Sequence, residues 1–335
     1  MTAGPYGTQR IATSKGSANG WQSRFGADGI MGCHEVHLKL ESWAEFVSEF
    51  ALDDAANWIF RGQGDSAWTL STTLQRALKA RRVEDPSYRA HVENSSIGFF
   101  KDRSRLHLPT TPDEQDILGW LALMQHYGAP TRLQDWALSP FVAAYFAYRD
   151  ERDTDAVLWA IEAYYCRQQV APGTMVSLAW DHLEIFDEAP TMTQAEKENE
   201  TLREAIRKGC RWPLPMLPFN VDARMTAQQS AFLVATDIDF PVDDLVDKSK
   251  WPKPVEPDPF SANLAPRVGI TPLKEPYQLI KRIPLPRVWR DDALRSLRRM
   301  GITDDTMFPG TDGAGRATAR QVIAEELSLR DTLNT

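Results

Sequence analysis

The chain has 335 residues, of which 42% are hydrophobic and 25% are charged, proportions that are typical of globular proteins and sufficient for a sizeable core. Its net charge of −8 at pH 7 argues against nucleic acid as a partner, because phosphate contacts need clustered lysine and arginine. The three widely spaced cysteines and the lack of a long apolar run argue against a zinc ribbon, a disulfide framework and a membrane span. We therefore expect a cytoplasmic protein without a metal or a membrane partner, and the sequence names no protein partner.

The N-terminal residues differ in composition from the rest of the chain. Residues 1–35 are rich in glycine, serine, alanine and threonine, which predicts a disordered leader. The sequence SWAEFVSEFAL follows at 42–52, and its large apolar residues recur at helical spacing. This spacing predicts a helix with one buried face, formed by Trp43, Phe46 and Phe50.

The stretch NWIFRG at 57–62 is predicted to be a short buried strand that contains Arg61 and ends at Gly62. A guanidinium stays charged at any ordinary pH, so burying it without an anionic partner is costly. Two explanations are open. Either Arg61 pairs with an internal carboxylate, such as that of Asp135 or Asp65, or it faces a bound anion.

The clearest helix signal lies at 111–128, in the sequence TPDEQDILGWLALMQHYG. Thr111 is a suitable N-cap, Pro112 suits the first helical position, and Glu114 completes a capping box. Gly128 is a typical residue after the last helical turn. The pattern therefore predicts a helix that begins at residue 112 and ends before this glycine.

Three polar-tipped side chains close this predicted helix, and they resemble one wall of a site. They are Gln125, His126 and Tyr127. His126 has the right chemistry for a general acid or base. The alternative is that it hydrogen-bonds the free carbonyls at the end of the helix.

The sequence GAPTRLQDWALS at 128–139 has room for one short strand and contains a second arginine in apolar surroundings, Arg132. Arg132 and Asp135 are three residues apart, so that they either pair with each other or belong to the site. Ser139 and Pro140 then repeat the signal for a helix start. The helix that follows is apolar on most sides and is predicted to be buried.

The rest of the chain mixes strands and helices without a regular βαβ rhythm. Strands are predicted at 155–162, 232–235 and 278–286, and helices within 188–209 and 290–302. A proline-rich insertion is predicted at 247–268 and a tail helix at 321–335. We therefore predict an α+β fold with a mixed, mainly antiparallel sheet and packed helices, in which residues 166–320 complete one composite domain with the core at 36–165.

Four motifs resemble those of the FRG-domain family, which is named for a Phe/Tyr-Arg-Gly motif. They are FRGQ at 60–63, LMQHYGAPTRLQDWALSPFVAAYFA at 123–147, RMTAQQSAF at 224–232 and MGITDDTMFPGTDG at 300–313. The family is common in bacteria and their mobile elements, so the resemblance implies a bacterial protein and an architecture but no reaction. Ser230 stands where the family pattern has glycine.

A more distant likeness is to the ADP-ribosyltransferases, in which an aromatic-Arg-Gly segment contacts NAD. This likeness implies that Arg61 binds NAD, that Thr131 lies near the nicotinamide ribose, and that Gln228 or Gln229 occupies the catalytic position. Glutamine cannot carry the negative charge that stabilises an oxocarbenium-like centre. Glu162, at the end of a predicted strand, is a candidate replacement.

The sequence thus places a hypothetical site between the FRG strand, the turn after the long helix and the AQQ segment. Its catalytic candidates are His126, Gln228 and Glu162, and its ligand-binding candidates are Arg61, Gly62, Gln63, Gln125, Tyr127, Thr131, Arg132 and Asp135. The expected ligand is NAD or a related nucleotide, with ADP-ribosyl transfer or NAD cleavage as the expected activity.

Two other classes of function are weighed against this one. The main alternative is a non-catalytic module that senses a nucleotide or a partner protein, in a setting of bacterial defence. A nuclease or phosphodiesterase needs clustered acidic or histidine ligands for a metal ion, and the acidic residues of this sequence lack that spacing.

Overall fold

The computed structural model describes residues 36–37, 40–51, 58–170, 194–210, 212–217, 223–242 and 280–319. The predicted leader, the proline-rich insertion and the tail helix lie outside these residues. Residue 57, the first residue of the strand predicted around Arg61, also lies outside them.

Seven strands of the described residues form one sheet in the order β1-β7-β4-β2-β3-β6-β5. Neighbouring strands are antiparallel, except that β1 and β7 run parallel. The strands are β1 Val36–His37, β2 Trp58–Gln63, β3 Leu133–Ala137, β4 Ala156–Glu162, β5 Pro213–Met216, β6 Ser230–Ala235 and β7 Ile280–Leu285. A mixed, mainly antiparallel sheet with packed helices confirms the predicted α+β class.

Along the chain, helices lie between the strands and after the last strand. They are α1 Trp43–Ala51, α2 Thr73–Ala80, α3 Pro86–Ser104, α4 Ile117–His126, α5 Pro140–Tyr148, α6 Ala163–Val170, α7 Gln194–Arg207, α8 Ala223–Ala227, α9 Arg290–Arg299, α10 Asp304–Met307 and α11 Thr311–Ala317. The helix predicted at 42–52 is confirmed as α1, which buries the three aromatic residues named for its apolar face.

The predicted start of α4 is wrong by about one turn. The helix begins at Ile117, and its N-cap is Asp116, whose carboxylate accepts a hydrogen bond of 2.9 Å from the backbone N–H of Gly119. The amide of Asn199, from the distant helix α7, donates a second hydrogen bond of 2.7 Å to the same carboxylate oxygen. Two caps compete in the sequence, and this tertiary contact favours the later one over Thr111.

Helix α5 is buried between other elements, as its apolar surface predicts. Ser139 accepts a hydrogen bond of 3.3 Å from the backbone N–H of Val142, and Pro140 occupies the first turn, so the predicted start is confirmed. One face of the helix packs against β2, which lies close enough for backbone contact. The opposite face of the sheet carries a separate apolar cluster that includes Ile59 and Trp159.

The close approach of α5 to the sheet explains the glycine of the FRG motif. A Cβ atom added at Gly62 would lie 1.9 Å from the backbone oxygen of Ala143 and 2.8 Å from the backbone nitrogen of Ala147. These are backbone atoms of a buried helix and cannot move aside without shifting the helix. The glycine is therefore needed for packing of a strand against a helix.

Gly62→Ala is expected to lower the free energy of unfolding by about 3 kcal/mol or more, because the new methyl group overlaps the α5 backbone. Gly98→Ala in α3 is the matched control, since a Cβ atom there meets nothing within 4 Å. The control is expected to stabilise the protein by about 0.5–1 kcal/mol through helix propensity. Urea unfolding measures both changes, and equal stability of the two variants would contradict the packing.

Candidate functional site

A cavity of about 740 Å³ opens where β2 and β3 stop pairing. The two strands share the single bridged pair Phe60–Ala137, whereas β2 pairs with β4 along its whole length. Residues 60–64 line one side of the cavity and residues 135–137 line another, with Gln228 contributed from the turn after α8. The structure thus brings together the three segments between which the sequence places the hypothetical site.

The lining of this cavity is strongly basic although the chain as a whole is acidic. Its charged residues are the five arginines Arg61, Arg76, Arg149, Arg152 and Arg224 and the two aspartates Asp135 and Asp150. An excess of positive charge in a concave site concentrates anions there. The name arginine cleft is used below for the cavity lined by these residues.

Arg61 is held in the gap between the two strands without a carboxylate partner among the described residues. Its guanidinium donates a hydrogen bond to the backbone oxygen of Asp135, while its Nε is buried and has no acceptor. Burial lowers the pKa of Arg61, the negative charge of Asp135 raises it, and the like charge of Arg76 lowers it again. The guanidinium stays charged in proteins, so a desolvated positive charge faces the cleft.

Neither carboxylate suggested as an internal partner pairs with Arg61. The Asp135 carboxylate accepts a hydrogen bond of 3.2 Å from the amide of Gln125, and the Asp65 carboxylate accepts one of 2.9 Å from the backbone N–H of Ala67. Of the two explanations that the sequence left open, the structure therefore does not support an internal ion pair.

Two further arginines of the cleft, Arg76 and Arg152, are oriented by neutral groups. Arg76 donates a hydrogen bond of 2.6 Å to the backbone oxygen of Ser71, and the Arg152 guanidinium lies 4.6 Å from the centre of the Trp68 ring. Carbonyl groups and aromatic rings fix the direction of a guanidinium without cancelling its charge. These two contacts therefore leave the positive potential of the cleft in place.

Arg149 and Arg224 share one aromatic ring. Their guanidinium carbons lie 4.9 Å and 5.0 Å from the centre of the Phe308 ring. Arg149 also has an ion pair of 3.5 Å with its neighbour Asp150, and its Nε has no hydrogen-bond acceptor. The ring thus gathers two arginines from different parts of the chain at the same cavity.

The family model of the FRG domain matches residues 56–156. The chain contains an FRG domain. Comparisons with curated proteins and with solved structures give no match. The matched span includes β2, β3 and α5 and ends at the first residue of β4, so that Arg61, Asp135 and Arg152 belong to the FRG domain and Arg224 does not.

Arg132 of the FRG domain has a structural partner, and it does not line the cleft. It forms a buried two-point ion pair with Glu93 of α3 and also donates to the backbone oxygens of Ala235 and Thr236 at 3.2 Å. The pairing with Asp135 that the sequence offered is wrong. Residues three apart in extended chain point to opposite faces, so these two side chains diverge.

Gln63, Gln125 and Thr131 hold the walls of the cleft through hydrogen bonds within the protein. Gln63 accepts a bond of 2.8 Å from the Trp159 indole and donates one of 3.1 Å to the backbone oxygen of Thr69. The Thr131 hydroxyl donates to the Gln125 side-chain oxygen at 2.5 Å, and Gln125 in turn donates to Asp135. Of the three, only Gln63 lines the cavity, and both ends of its amide are occupied.

Only one of the three catalytic candidates reaches the cleft. Gln228 lines it, and its amide donates a hydrogen bond of 2.8 Å to the backbone oxygen of Met307. Glu162 is buried at the other end of β4, opposite Trp58, and is not part of the lining. His126 and Tyr127 stack edge to face at the end of α4, also outside the lining.

Sequence reasoning missed four of the five cleft arginines and the aromatic residues that orient them. Arg224 begins the motif RMTAQQSAF and Phe308 lies in the motif MGITDDTMFPGTDG, so both stood in segments that carried the family resemblance. Arg149 and Arg152 follow the C-terminus of α5 directly. A search of the motifs for arginine as well as for acids would have found Arg224, whereas Arg76, Arg149 and Arg152 lie outside the motifs.

Two further features concern the described part of the chain. No group of three or more histidine, cysteine or acidic side chains is arranged there to hold a metal ion. None of the helices in that part combines the length and apolar character that crossing a membrane requires.

Arg132→Met is expected to lower the free energy of unfolding by about 3–5 kcal/mol, because it leaves the Glu93 carboxylate buried without its partner. The double variant Arg132→Met, Glu93→Leu is expected to recover most of this loss, since neither charge is then buried. Urea unfolding of the two variants gives the comparison. A role of Arg132 in the site would instead weaken ligand binding at unchanged stability.

Proposed function

We propose that the arginine cleft of this FRG domain binds a nucleotide through its phosphate groups. The observation that carries the proposal is the Arg61 guanidinium, which is desolvated, lacks a carboxylate partner among the described residues and has an Nε without an acceptor. A charge in that state is stabilised when an anion enters beside it. Phosphate oxygens match the fork of donors that arginine presents.

The aromatic residue at the edge of the cleft favours a nucleotide over a simple phosphate. Trp68 lines the cavity and is 45% exposed, whereas most of the other tryptophans among the described residues are buried. Any nucleobase can stack on such a ring, and the stacking contributes about 1–3 kcal/mol per base. A volume of about 740 Å³ lies within the range of small-molecule sites.

The proposal covers binding of NAD or a related nucleotide and does not extend to transfer or cleavage. The carboxylates in the described lining are Asp135 and Asp150, and Asp135 is already engaged by Gln125. Gln228, at the position that the distant likeness makes catalytic, donates its amide proton to the Met307 carbonyl. A binding module that senses a nucleotide is therefore the function supported best.

Arg61→Ala is expected to weaken nucleotide binding by at least about tenfold, because one charge-assisted hydrogen bond to phosphate is lost. Its melting temperature without ligand is expected to stay within about 3 °C of the wild type, since the described residues give the Arg61 side chain one hydrogen bond, to the Asp135 backbone oxygen. The shift in melting temperature of the full chain is measured with NAD, ADP-ribose, ATP and inorganic phosphate. Titration calorimetry then gives the dissociation constant of each ligand that produces a shift.

The matched control for this experiment is Arg295→Ala, which removes an exposed arginine of α9 whose ion pair is with Asp292. It is expected to leave every ligand response unchanged. Silence of the wild type toward all four ligands would contradict the proposal, and so would an Arg61→Ala protein that binds normally or fails to fold. Mass spectrometry of an NAD sample then separates a sensor, which releases no nicotinamide, from an NAD-cleaving enzyme.

A further inference from the structure

Phe308 lies at the centre of three guanidinium groups. It is 5% exposed, and the guanidinium carbons of Arg149, Arg224 and Arg316 lie 4.9, 5.0 and 4.6 Å from its ring centre. The face of an aromatic ring attracts cations, which offsets part of the repulsion between like charges. Arg149 and Arg224 line the arginine cleft, whereas Arg316 does not.

The backbone around Phe308 is fixed from several sides. Its N–H donates to the backbone oxygen of Asp304 at 2.9 Å, and the side chain of Asp304 accepts a hydrogen bond of 2.7 Å from the Tyr145 hydroxyl. A Cβ atom at Gly313 would lie 1.9 Å from the backbone oxygen of Phe308, so α11 packs directly on this residue. The ring is therefore a rigid support, and the arginines above it are held in place.

The cleft arginines accordingly fall into two groups with different supports. Arg61 and Arg76 come from β2 and α2 and are close enough for the charge of one to affect the other. Arg149 and Arg224 come from the end of α5 and from α8 and meet at the Phe308 ring. Each group offers two guanidinium forks to the same cavity, enough to bind one phosphoryl group each.

Resting on the proposed function, we propose that Phe308 is a positioning residue that sets up a second anion subsite from Arg149 and Arg224. The first subsite is formed by Arg61 and Arg76. The cleft then selects nucleotides that carry two phosphoryl groups over nucleoside monophosphates. Phe308 itself does not touch the ligand, since it acts through the two arginines that it orients.

Titration calorimetry of the full chain with AMP, ADP and ADP-ribose tests this proposal. The wild type is expected to bind ADP about tenfold or more tightly than AMP, which is the worth of one added charge-assisted contact. Phe308→Leu is expected to reduce that preference to about threefold or less by weakening ADP binding, with AMP binding nearly unchanged. Phe308→Trp is expected to keep the preference, because indole is the strongest partner for a cation.

Arg316→Ala is the matched control, since it removes a guanidinium from the same ring without touching the cleft. It is expected to leave both affinities unchanged. Arg149→Ala and Arg224→Ala repeat the test at residues that line the cleft. They decide the question if Phe308→Leu has a lowered melting temperature. Each is expected to weaken binding of ADP more than of AMP.

The two proposals fail in different ways. A wild type that binds none of the three nucleotides contradicts the proposed function itself. A wild type that binds AMP and ADP equally, or variants of Phe308, Arg149 and Arg224 that weaken both ligands by the same factor, would overturn the second subsite while leaving nucleotide binding intact.

Discussion

The Arg61 guanidinium occupies the gap between β2 and β3, and the proposed chemistry of the cleft depends on it. Two neighbouring strands that pair only at Phe60–Ala137 leave backbone groups without ladder partners, and the guanidinium satisfies one of them by donating to the Asp135 carbonyl. The same contact keeps a positive charge between two central strands of the sheet. A neutral side chain could not do both, so one residue satisfies a strand carbonyl and also contributes to the charge of the cavity.

The contrast between Arg61 and Arg132 shows what decides whether a buried arginine is structural. Arg132 is enclosed by a two-point contact with the Glu93 carboxylate and by two backbone oxygens, which together satisfy its donors. Arg61 has one backbone acceptor and an Nε with none. Withdrawing either charge from water costs free energy, yet only Arg132 has that cost offset by a carboxylate among the described residues. An anionic ligand beside Arg61 would offset the desolvation cost that the described residues leave uncompensated.

Local signals in the sequence were sufficient for much of the fold. The cap at Ser139, the proline after it and the apolar surface of α5 are read from a few adjacent residues, and the aromatic spacing of α1 is equally local. The partners of the site residues are not local. Glu93 is 39 residues from Arg132, and Gln228 meets Met307 across 79 residues. No periodicity or spacing encodes such pairs, so their roles had to come from the structure.

The same limit explains the error at the start of α4. Thr111 and Asp116 are both residue types that cap helices, and a hydrogen bond from Asn199, 83 residues away, favours Asp116. Sequence reasoning located the three segments of the cleft but assigned Gln63, Gln125 and Thr131 to the ligand, whereas their described polar contacts are within the protein.

The strand order of the sheet indicates which elements outside the FRG match are needed for the strands and the cleft. The FRG match contains β2 and β3 and stops at the start of β4, so the partners on both sides of this pair, β4 and β6, come almost wholly from residues beyond it. Without them β2 and β3 would expose their ladder groups at two open edges, held together by a single bridged pair. The cleft needs the same later residues, since Arg224 lines it and Phe308 supports Arg149. Pairing of the FRG strands and completion of the arginine cleft therefore both require described elements that extend from β2 to α11.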